Sequence, residues 1–332
     1  MKYFEVLNNK IKCTVCPREC LLAEGQKGFC RVRQNKSGKM DLIPNNYATG
    51  LAVDPVEKKP LYHFYPSTGV LSFGTFGCNM GCKFCQNYHI SKFEQNFDYS
   101  VKAIPEMIVA TAKKYNCKSV AFTYNDPVVF IEYAIETAKL CRQEGIKTVA
   151  VSAGYMNLHA AKDLYSYIDA ANIDLKGFSE DFYAKNCLAK LEPVLNTIKY
   201  VSRETDCIVE LTTLLIDGEN TSDEILKNEF NWIINELGDE IPLHLSAFHP
   251  AWKFSDRNGT KPETLFSAYS LAKETGLKYV YTGNIADTAT SATVCPVCKT
   301  ELVARYGFNS EIKGLKDGKC INCGHKIYGK FD

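Results

Sequence analysis

The chain has 332 residues, of which 45% are hydrophobic, and its 39 basic and 38 acidic side chains leave a formal net charge of +1. That length can hold one large core or about two domains, and the balanced charge does not favour binding to nucleic acid or to an anionic membrane. The opening "MKYFEVLNNKIKC" mixes charge and polarity, and no run approaches the ~18 apolar residues of a membrane span. We therefore expect a cytoplasmic protein.

The fifteen cysteines predict metal chemistry. Without a secretion signal, cytosolic reductants would keep them as thiols, so metal or iron–sulfur ligation is favoured over disulfides. Most of them fall into three tight groups. The single cysteines are interpreted as packing residues, namely Cys117, Cys141, Cys187 and Cys207.

Residues 1–66 are predicted to form a small Cys-rich, metal-binding lobe. The segment is rich in Gly, Pro and charge, with little periodicity, and so cannot bury much core without a bound metal. Its candidate ligands follow the pattern C-x2-C-x3-C-x9-C through Cys13, Cys16, Cys20 and Cys30. Thiolate counts alone do not separate zinc from an auxiliary [4Fe–4S] cluster, and zinc is the preferred assignment.

The "EKKPLYHFYP" segment, residues 57–66, has two interpretations. The preferred one is a linker that pins the N-terminal lobe. In the other, its aromatic side chains and two lysines form a wall of the substrate entrance.

Residues 67–290 are predicted to form the catalytic core, an α/β fold with a parallel sheet in a partial (β/α)6 TIM-like barrel. Short β-branched runs alternate with amphipathic helices, which is typical of repeated βα units. The clearest helix, in residues 128–145, has Pro127 near its start and Gly145 at its end. Strands are predicted at 70–75, 119–123, 148–152, 170–175, 208–215 and 243–248, with a short one at 279–282. A ligand site is expected where the strands end.

Three cysteines follow the first of these strands, in "GTFGCNMGCKFCQNYH". Cys78, Cys82 and Cys85 supply three thiolates in a C-x3-C-x2-C pattern, whereas a closed structural metal site has four protein ligands. A [4Fe–4S] cluster held by three thiolates leaves one iron free to bind a further ligand. The alternative to an iron–sulfur site is an incomplete zinc knuckle or a chance cluster of cysteines.

Residues 291–332 are predicted to form a C-terminal zinc-ribbon-like module. Its two C-x2-C pairs are Cys295 with Cys298 and Cys320 with Cys323, about 20 residues apart, a spacing typical of zinc sites. An iron site is the alternative. The intervening sequence is only mildly basic, so closure of the barrel or docking of a partner is favoured over nucleic-acid binding.

The cysteine triplet, with Phe84 before its last member, resembles the signature of the radical S-adenosylmethionine (SAM) superfamily. The resemblance implies a catalytic [4Fe–4S] cluster on Cys78, Cys82 and Cys85. It also implies SAM bound to the unique iron and cleaved reductively to methionine and a 5′-deoxyadenosyl radical that abstracts hydrogen. A one-electron donor such as flavodoxin or ferredoxin is implied as well.

The resemblance assigns cofactor contacts to the later strand ends. In "TYNDP", Asn125 and Asp126 are placed to accept hydrogen bonds from the SAM ammonium group, although Asp126 followed by Pro127 would also serve as a helix N-cap. Asp174 and Lys176 resemble a pair in the pyruvate formate-lyase activating enzyme group, and their alternative is a structural ion pair. The full predicted cofactor site comprises Phe84, Tyr124, Asn125, Asp126, Ser152, Asp174, Lys176 and His249; His249, as a lone histidine, could equally be a satisfied core residue.

A run of ordered motifs, including "CTVCPREC", "GFCRVR", "DPVEKKPLYHFYP", "IDLKGF" and "YVYTGN", is similar to the radical SAM enzymes of the AmmeMemoRadiSam system. This implies partners of the Memo and AMMECR types but no particular substrate. Three positions depart from the expected pattern: Asp126 stands for Glu, Ser152-Ala153-Gly154 for Thr-Asn-Gly, and Ala247 for Arg.

We thus expect an oxygen-sensitive radical SAM enzyme acting on an unidentified protein or small molecule. One alternative is a glycyl-radical enzyme activase. Another is a non-catalytic iron–sulfur or zinc assembly module, which would not require polar groups at successive strand ends.

Overall fold

The computed structural model describes residues 2–92, 100–285 and 289–331. Its largest sheet has nine strands in the order β14-β13-β12-β11-β10-β9-β7-β6-β8. The strands of this sheet are β6 (Tyr47–Pro55), β7 (Gly69–Gly74), β8 (Ser100–Lys102), β9 (Ser119–Phe122), β10 (Lys147–Ser152), β11 (Ala170–Asp174), β12 (Ile208–Leu215), β13 (Leu243–Ala247) and β14 (Val280–Gly283).

The strands from β7 to β14, β8 excepted, are parallel to one another, with Val70 opposite Ser119 at the first junction and Leu243 opposite Val280 at the last. Every residue of β9 and of β13 is buried, as expected of strands covered on both faces. Each predicted strand of the core is present, with ends within about one residue of the prediction.

Helices connect the parallel strands. They are α1 (Tyr88–Ser91), α2 (Pro105–Lys114), α3 (Ile131–Gln143), α4 (Leu158–Tyr165), α5 (Glu180–Phe182), α6 (Glu192–Glu204), α7 (Asp223–Leu237) and α8 (Pro262–Thr275). A π-helical turn, Tyr183–Cys187, follows α5, and 3₁₀ turns cover Val56–Lys58, Pro127–Phe130 and Trp252–Phe254. The predicted helix in residues 128–145 is therefore a 3₁₀ turn that leads into α3.

The sheet curls into an open barrel. A single cavity is lined both by Gln86 and Asn87, on the loop after β7, and by Asn284, just after β14, which requires the two ends of the parallel sheet to face each other. In the part of the chain that the structure describes, β14 and β8 are edge strands, and no ladder joins them. The predicted partial (β/α) barrel is thus confirmed.

The N-terminal lobe consists of short antiparallel pairs. One three-stranded sheet contains β1 (Phe4–Leu7), β2 (Lys10–Cys13) and β3 (Leu21–Leu22), and a hairpin contains β4 (Arg33–Lys36) and β5 (Lys39–Leu42). The next strand, β6, pairs antiparallel with β7. The sequence assigned β6 to the lobe, yet it is an integral strand of the large sheet.

The C-terminal module is a small β structure next to β14. Its strands are β15 (Thr293–Val294), β16 (Glu301–Tyr306), β17 (Asn309–Ile312), β18 (Leu315–Lys316) and β19 (Lys319–Cys320). The buried Arg305 donates to the carbonyl oxygen of Tyr62 at 2.7 Å, and its guanidinium lies 3.9 Å from the centre of the Tyr62 ring. The module thereby contacts the segment that precedes β7, on the open side of the barrel.

Residues 57–66 are held by these two contacts with Arg305 and by hydrogen bonds to a buried carboxylate of the barrel. The Glu210 carboxylate of β12 accepts hydrogen bonds from the backbone N–H groups of Tyr62 at 3.0 Å and His63 at 2.7 Å. It also bonds Nε2 of His244 at 2.7 Å. Because Glu210 is completely buried, these partners supply the hydrogen bonds that water would otherwise make.

Candidate active site

The cysteine triplet lies on a loop directly after β7. Cys82 is buried, whereas Cys78 and Cys85 are partly exposed. The loop is held by backbone bonds to the π-helical turn, from Gly81 N–H to the Cys187 carbonyl at 2.8 Å. A Cβ at Gly81 would approach the Leu188 side chain to 2.6 Å, so this close contact requires glycine.

Two lysine ammonium groups lie near the thiols. Lys92 donates to the Met80 carbonyl at 2.6 Å, and its charge opposes the effect of burial, which raises the pKa of Cys78 to about 12. At Cys82 the balance is reversed. A hydrogen bond from the Cys187 thiol, together with the charges of Lys176 and Lys92, outweighs burial and lowers the pKa of the Cys82 thiol. Of these two thiols, Cys82 is therefore the one whose surroundings favour thiolate, the form that binds metal.

Asn125 does not point a free acceptor at a ligand. Its Oδ1 accepts from Thr75 N–H at 3.1 Å, and its Nδ2 donates to Thr75 Oγ1 at 3.0 Å and to the Gly77 carbonyl at 2.9 Å. The side chain therefore holds the start of the cysteine loop. The predicted contact to the SAM ammonium stays a prediction, and we expect this positioning role to be the more important one.

Asp126 serves as the N-cap that the sequence offered as an alternative. Its Oδ1 accepts from Val128 N–H at 3.1 Å and from Ser152 Oγ at 2.9 Å, and its Oδ2 accepts from Ala153 N–H at 2.9 Å. Burial raises the pKa of this carboxyl, while the three hydrogen bonds lower it. Asp126 and Ser152 thus tie the end of β9 to the end of β10.

Asp174 and Lys176 form an ion pair at the end of β11, with 2.9 Å between Oδ2 and Nζ. Their side chains are 30% and 18% exposed, so both remain accessible from the rim of the barrel. The charge of Lys176 acts on Cys82. The pair therefore lies near the cysteine loop, and its predicted contact with SAM stays a prediction.

The remaining predicted cofactor residues occupy different surroundings. Phe84 is buried, with its ring 6.0 Å from that of Phe182 and 6.1 Å from that of Phe254. The Tyr124 hydroxyl donates to Asp54 at 3.0 Å. His249 is exposed, and its Nε2 lies 3.1 Å from the Asn284 carbonyl. The structure does not bring these three together with Asp174 and Lys176 in one cluster of contacts.

A cavity of about 850 Å³ opens beside the triplet. Gln86 and Asn87, which directly follow Cys85, form part of its wall. The opposite wall includes Lys59, which is 3% exposed and pairs with Asp54 at 2.7 Å. Other lining residues are Glu57, Lys58, Pro60, Tyr62, Tyr124, His244, Ser246, Thr282, Asn284, Tyr306 and Phe308. The volume is in the range of small-molecule sites.

Sequence reasoning missed Cys187. It interpreted this residue as a packing cysteine, yet the thiol is within hydrogen-bonding reach of Cys82. The two residues are far apart in the chain, so no spacing pattern connects them. Lys92, to which the sequence analysis also gave no role, lies close enough to the cysteine loop for its charge to act on Cys78.

The residues present fit a [4Fe–4S] cluster. Three thiols share one loop, two lysine cations offset their negative charge, and Met80 N–H donates to Cys78 Sγ at 3.4 Å. Backbone hydrogen bonds to sulfur are among the features that tune such clusters. When bound, the cluster and SAM would supply one-electron reductive cleavage of a carbon–sulfur bond, and the chain's own residues orient the thiolates and shield them from water.

The C-terminal cysteines form a separate, compact metal-site geometry. All four Sγ atoms of Cys295, Cys298, Cys320 and Cys323 lie within 4.8 Å of one another. The Cys295–Cys323 and Cys298–Cys320 sulfur distances are 3.6 and 3.5 Å. This arrangement agrees with the predicted ribbon-like module.

Three thiols on a loop at the carboxyl ends of parallel strands, beside a cavity of small-molecule size, define an iron–sulfur enzyme built on a partial barrel. The sequence model of the Radical SAM superfamily matches residues 73–228, which include this loop. The chain belongs to the radical SAM superfamily and is an enzyme, as the sequence predicted.

Two relatives and one solved structure are similar to this chain. The chain is 41% identical over 329 residues to an uncharacterized protein of Methanocaldococcus jannaschii, covering 98% of each chain. A second protein of that organism is 28% identical over 217 residues and is provisionally named a glycyl-radical enzyme activating enzyme. The match covers 62% of this chain and 76% of that protein. A radical SAM methyltransferase from Sphaerobacter thermophilus has a similar fold, with a TM-score of 0.53 at 15% identity, covering 66% of this chain and 67% of that one.

The described helices include none that combines the length and apolar character required to cross a membrane.

Proposed function

We propose that Cys78, Cys82 and Cys85 hold the catalytic [4Fe–4S] cluster and that the enzyme cleaves SAM reductively to abstract hydrogen from a substrate in the adjoining cavity. The observation that carries this proposal is the position of the triplet. Its loop follows β7 and runs directly into Gln86 and Asn87 in the cavity wall. A radical generated on the loop would therefore arise next to an enclosed space of small-molecule size.

The chain's own residues have three tasks in this reaction. Asn125 and the π-helical turn hold the cysteine loop in place. Lys92 and Lys176 favour the thiolate forms of the ligands. The cavity excludes bulk water from a reactive species, which prevents side reactions. We include Asp174 and Lys176 as the polar pair nearest the loop that would orient SAM.

The experiment is anaerobic reconstitution with iron and sulfide, reduction with dithionite, addition of SAM and mass spectrometry for 5′-deoxyadenosine. We expect product from the wild type and none from Cys82→Ala. A matched control is Cys141→Ser, because Cys141 is a buried cysteine of α3 and belongs to none of the three cysteine groups. Wild-type cleavage by Cys82→Ala would remove the assignment.

A second candidate is activation of a glycyl-radical enzyme, and its support is the name of the 28% identical relative. In that case the substrate is a loop of a partner protein. Freeze-quenched samples with a candidate partner would show a persistent organic radical on that partner, whereas direct modification gives a mass change in a product. SAM recovered unchanged with a modified product would identify the cofactor as regenerated.

Partners are proposed from motif resemblance alone. They are a flavodoxin- or ferredoxin-type electron donor and proteins of the Memo and AMMECR types, as in the AmmeMemoRadiSam system. Co-purification, or an effect of a Memo-type protein on SAM cleavage, would support this proposal, and its absence in both assays would contradict it. For the C-terminal quartet we propose zinc, because its compact four-thiolate geometry is that of closed structural sites.

A further inference from the structure

The four N-terminal cysteines surround one small cavity. Cys13, Cys16, Cys20 and Cys30 line it together with Arg33 and Asn79. All four are free thiols, and three of them are buried. Residues that are separated by up to 17 positions in a lobe of short hairpins therefore converge on a single point, which a packing role for each cysteine would not require.

The spacing of these thiols differs from that of the C-terminal quartet. A tetrahedral zinc with Zn–S bonds of ~2.3 Å places its sulfurs ~3.8 Å apart, and the C-terminal thiols are close to that separation. Among the residues that the structure describes, the C-terminal quartet is the one group of three or more cysteines whose sulfurs all lie within 4.8 Å. The N-terminal quartet is more open than a zinc site.

The catalytic triplet provides an internal comparison. Its thiols also fall outside the 4.8 Å limit in the described structure, although they share one loop. In a [4Fe–4S] cluster each thiolate binds a different iron, so the sulfurs stand further apart than around a single ion. The N-terminal quartet and the triplet share this wider spacing.

A buried cation faces the same cavity. Arg33 is 1% exposed, and its guanidinium forms two bonds to the Glu132 carboxylate, at 2.7 and 2.8 Å. Its Nε has no hydrogen-bond partner in the described part of the chain. The charge of Arg33 acts on Cys13 and Cys30. An unsatisfied donor buried beside two thiols is costly unless an acceptor fills the space.

Asn79 contributes a second unsatisfied group. It is 1% exposed, its Nδ2 donates to the Tyr155 carbonyl at 2.7 Å, and its Oδ1 has no partner within the described residues. Around the same space, Phe29 N–H donates to Cys20 Sγ at 3.5 Å. The Phe29 N–H and the Arg33 Nε are therefore donors beside the thiols, and an anionic sulfur cluster accepts hydrogen bonds from such donors.

The site also touches the catalytic loop. Asn79 directly follows Cys78, and Arg18 Nε donates to the Asn79 carbonyl at 2.5 Å. A Cβ at Gly77 would come within 2.3 Å of the Cys30 carbonyl oxygen. The N-terminal lobe and the loop are thus packed with no room for a side chain between them.

We infer that Cys13, Cys16, Cys20 and Cys30 hold a second [4Fe–4S] cluster, packed against the loop that carries the catalytic one. Each thiol releases its proton to solvent when it binds iron. This differs from the zinc that the sequence favoured, and the reason is the thiol spacing. The site does not depend on SAM cleavage, so it can be tested separately from the proposed function.

The first test removes the catalytic ligands. The variant Cys78→Ala/Cys82→Ala/Cys85→Ala is reconstituted anaerobically with iron and sulfide, and its metals are counted by mass spectrometry. We expect ~4 iron, ~4 sulfide and ~1 zinc per chain, with visible absorption that dithionite bleaches. Two zinc ions and no iron would overturn the inference.

The second test removes the N-terminal ligands. In Cys16→Ser/Cys20→Ser, with the triplet intact, iron should fall from ~8 to ~4 per chain, and Mössbauer spectra should lose one of two cluster signals. The control Cys141→Ser should keep both. Full iron retention in the double variant would also overturn the inference. Because the two tests use different backgrounds, misfolding of one variant leaves the other decisive.

Discussion

The side-chain amide of Asn125 donates a hydrogen bond to the carbonyl oxygen of Gly77, 2.9 Å away and one residue before the first thiol of the catalytic loop. The same amide group bonds Thr75 on both its N–H and its hydroxyl. One side chain at the end of β9 thus fixes the direction in which the chain leaves β7.

The first prediction follows from this contact. Asn125→Ala should leave the backbone groups of the loop without partners, which costs about 1–3 kcal/mol for buried groups. We expect weaker retention of the cluster, measured as iron lost per hour to a chelator. Asn125→Asp keeps the acceptor to Thr75 N–H but loses both donors, so it should be intermediate or worse. Unchanged iron retention in both variants would refute the positioning role.

The second prediction concerns the Cys187 thiol. A hydrogen bond from it stabilises Cys82 as thiolate, so Cys187→Ala should raise the pKa of Cys82 in the metal-free protein. Alkylation rates of Cys82 against pH, followed by peptide mass spectrometry, would measure this shift. Cys207→Ala, a buried cysteine before β12, is the matched control. An identical alkylation profile in Cys187→Ala would exclude the hydrogen bond.

The third prediction is a pH dependence of stability. Glu229 of α7 is fully buried and accepts a hydrogen bond from the Thr213 hydroxyl, and burial raises its pKa to about 8. Because the folded-state pKa exceeds the unfolded value, this group stabilises the fold most below about pH 4.5, and the contribution is lost as pH rises towards 8. The loss is about 1.4 kcal/mol per pH unit inside that window.

Glu229→Gln should abolish this slope. We expect the melting temperature of Glu229→Gln to rise relative to that of the wild type between pH 6 and pH 8. The control is Glu224→Gln, which changes an exposed residue of the same helix. Parallel pH profiles of wild type and Glu229→Gln would show that Glu229 does not titrate in this range.

The fourth prediction concerns the C-terminal quartet. The variant Cys298→Ser/Cys323→Ser should no longer bind the proposed metal. Its C-terminal module should be less stable, because small metal-binding modules take most of their folding energy from the ion. Faster hydrogen exchange is expected in residues 301–312 and, through Arg305 and Tyr62, in residues 57–66. The catalytic iron content should not change. Unaltered exchange in residues 57–66 would show that the module does not secure that segment.

The core of the fold was predictable because its strands are mostly buried, largely apolar runs, such as "SVAF" in β9. The hairpins of the N-terminal lobe were not, because strands such as "KIKC" contain charged residues and offer no continuous apolar run. The strand β6 escaped assignment to the sheet because four consecutive residues in it are exposed and its pairing with β7 is antiparallel.

The candidate site likewise has residues that the sequence could predict and residues that it could not. Local spacing identified the triplet and the C-terminal quartet, since their ligands are close in sequence. It did not reveal that Asn125 bonds the loop or that Cys187 meets Cys82, because both contacts join elements that only tertiary packing brings together. For Asp126 the sequence offered two roles, and the structure shows the capping role directly.

The anchoring of residues 57–66 has a consequence for synthesis of the chain. Tyr62 meets its Glu210 partner only after 148 further residues have been made, and Phe64 pairs with Lys330 almost at the last residue described. At ~5–20 residues per second, the ribosome needs roughly 7–30 s to supply the first of these partners. Throughout that interval Tyr62 and His63 lack the carboxylate that bonds their backbone N–H groups, so this aromatic segment of the nascent chain is open to aggregation and to chaperone capture.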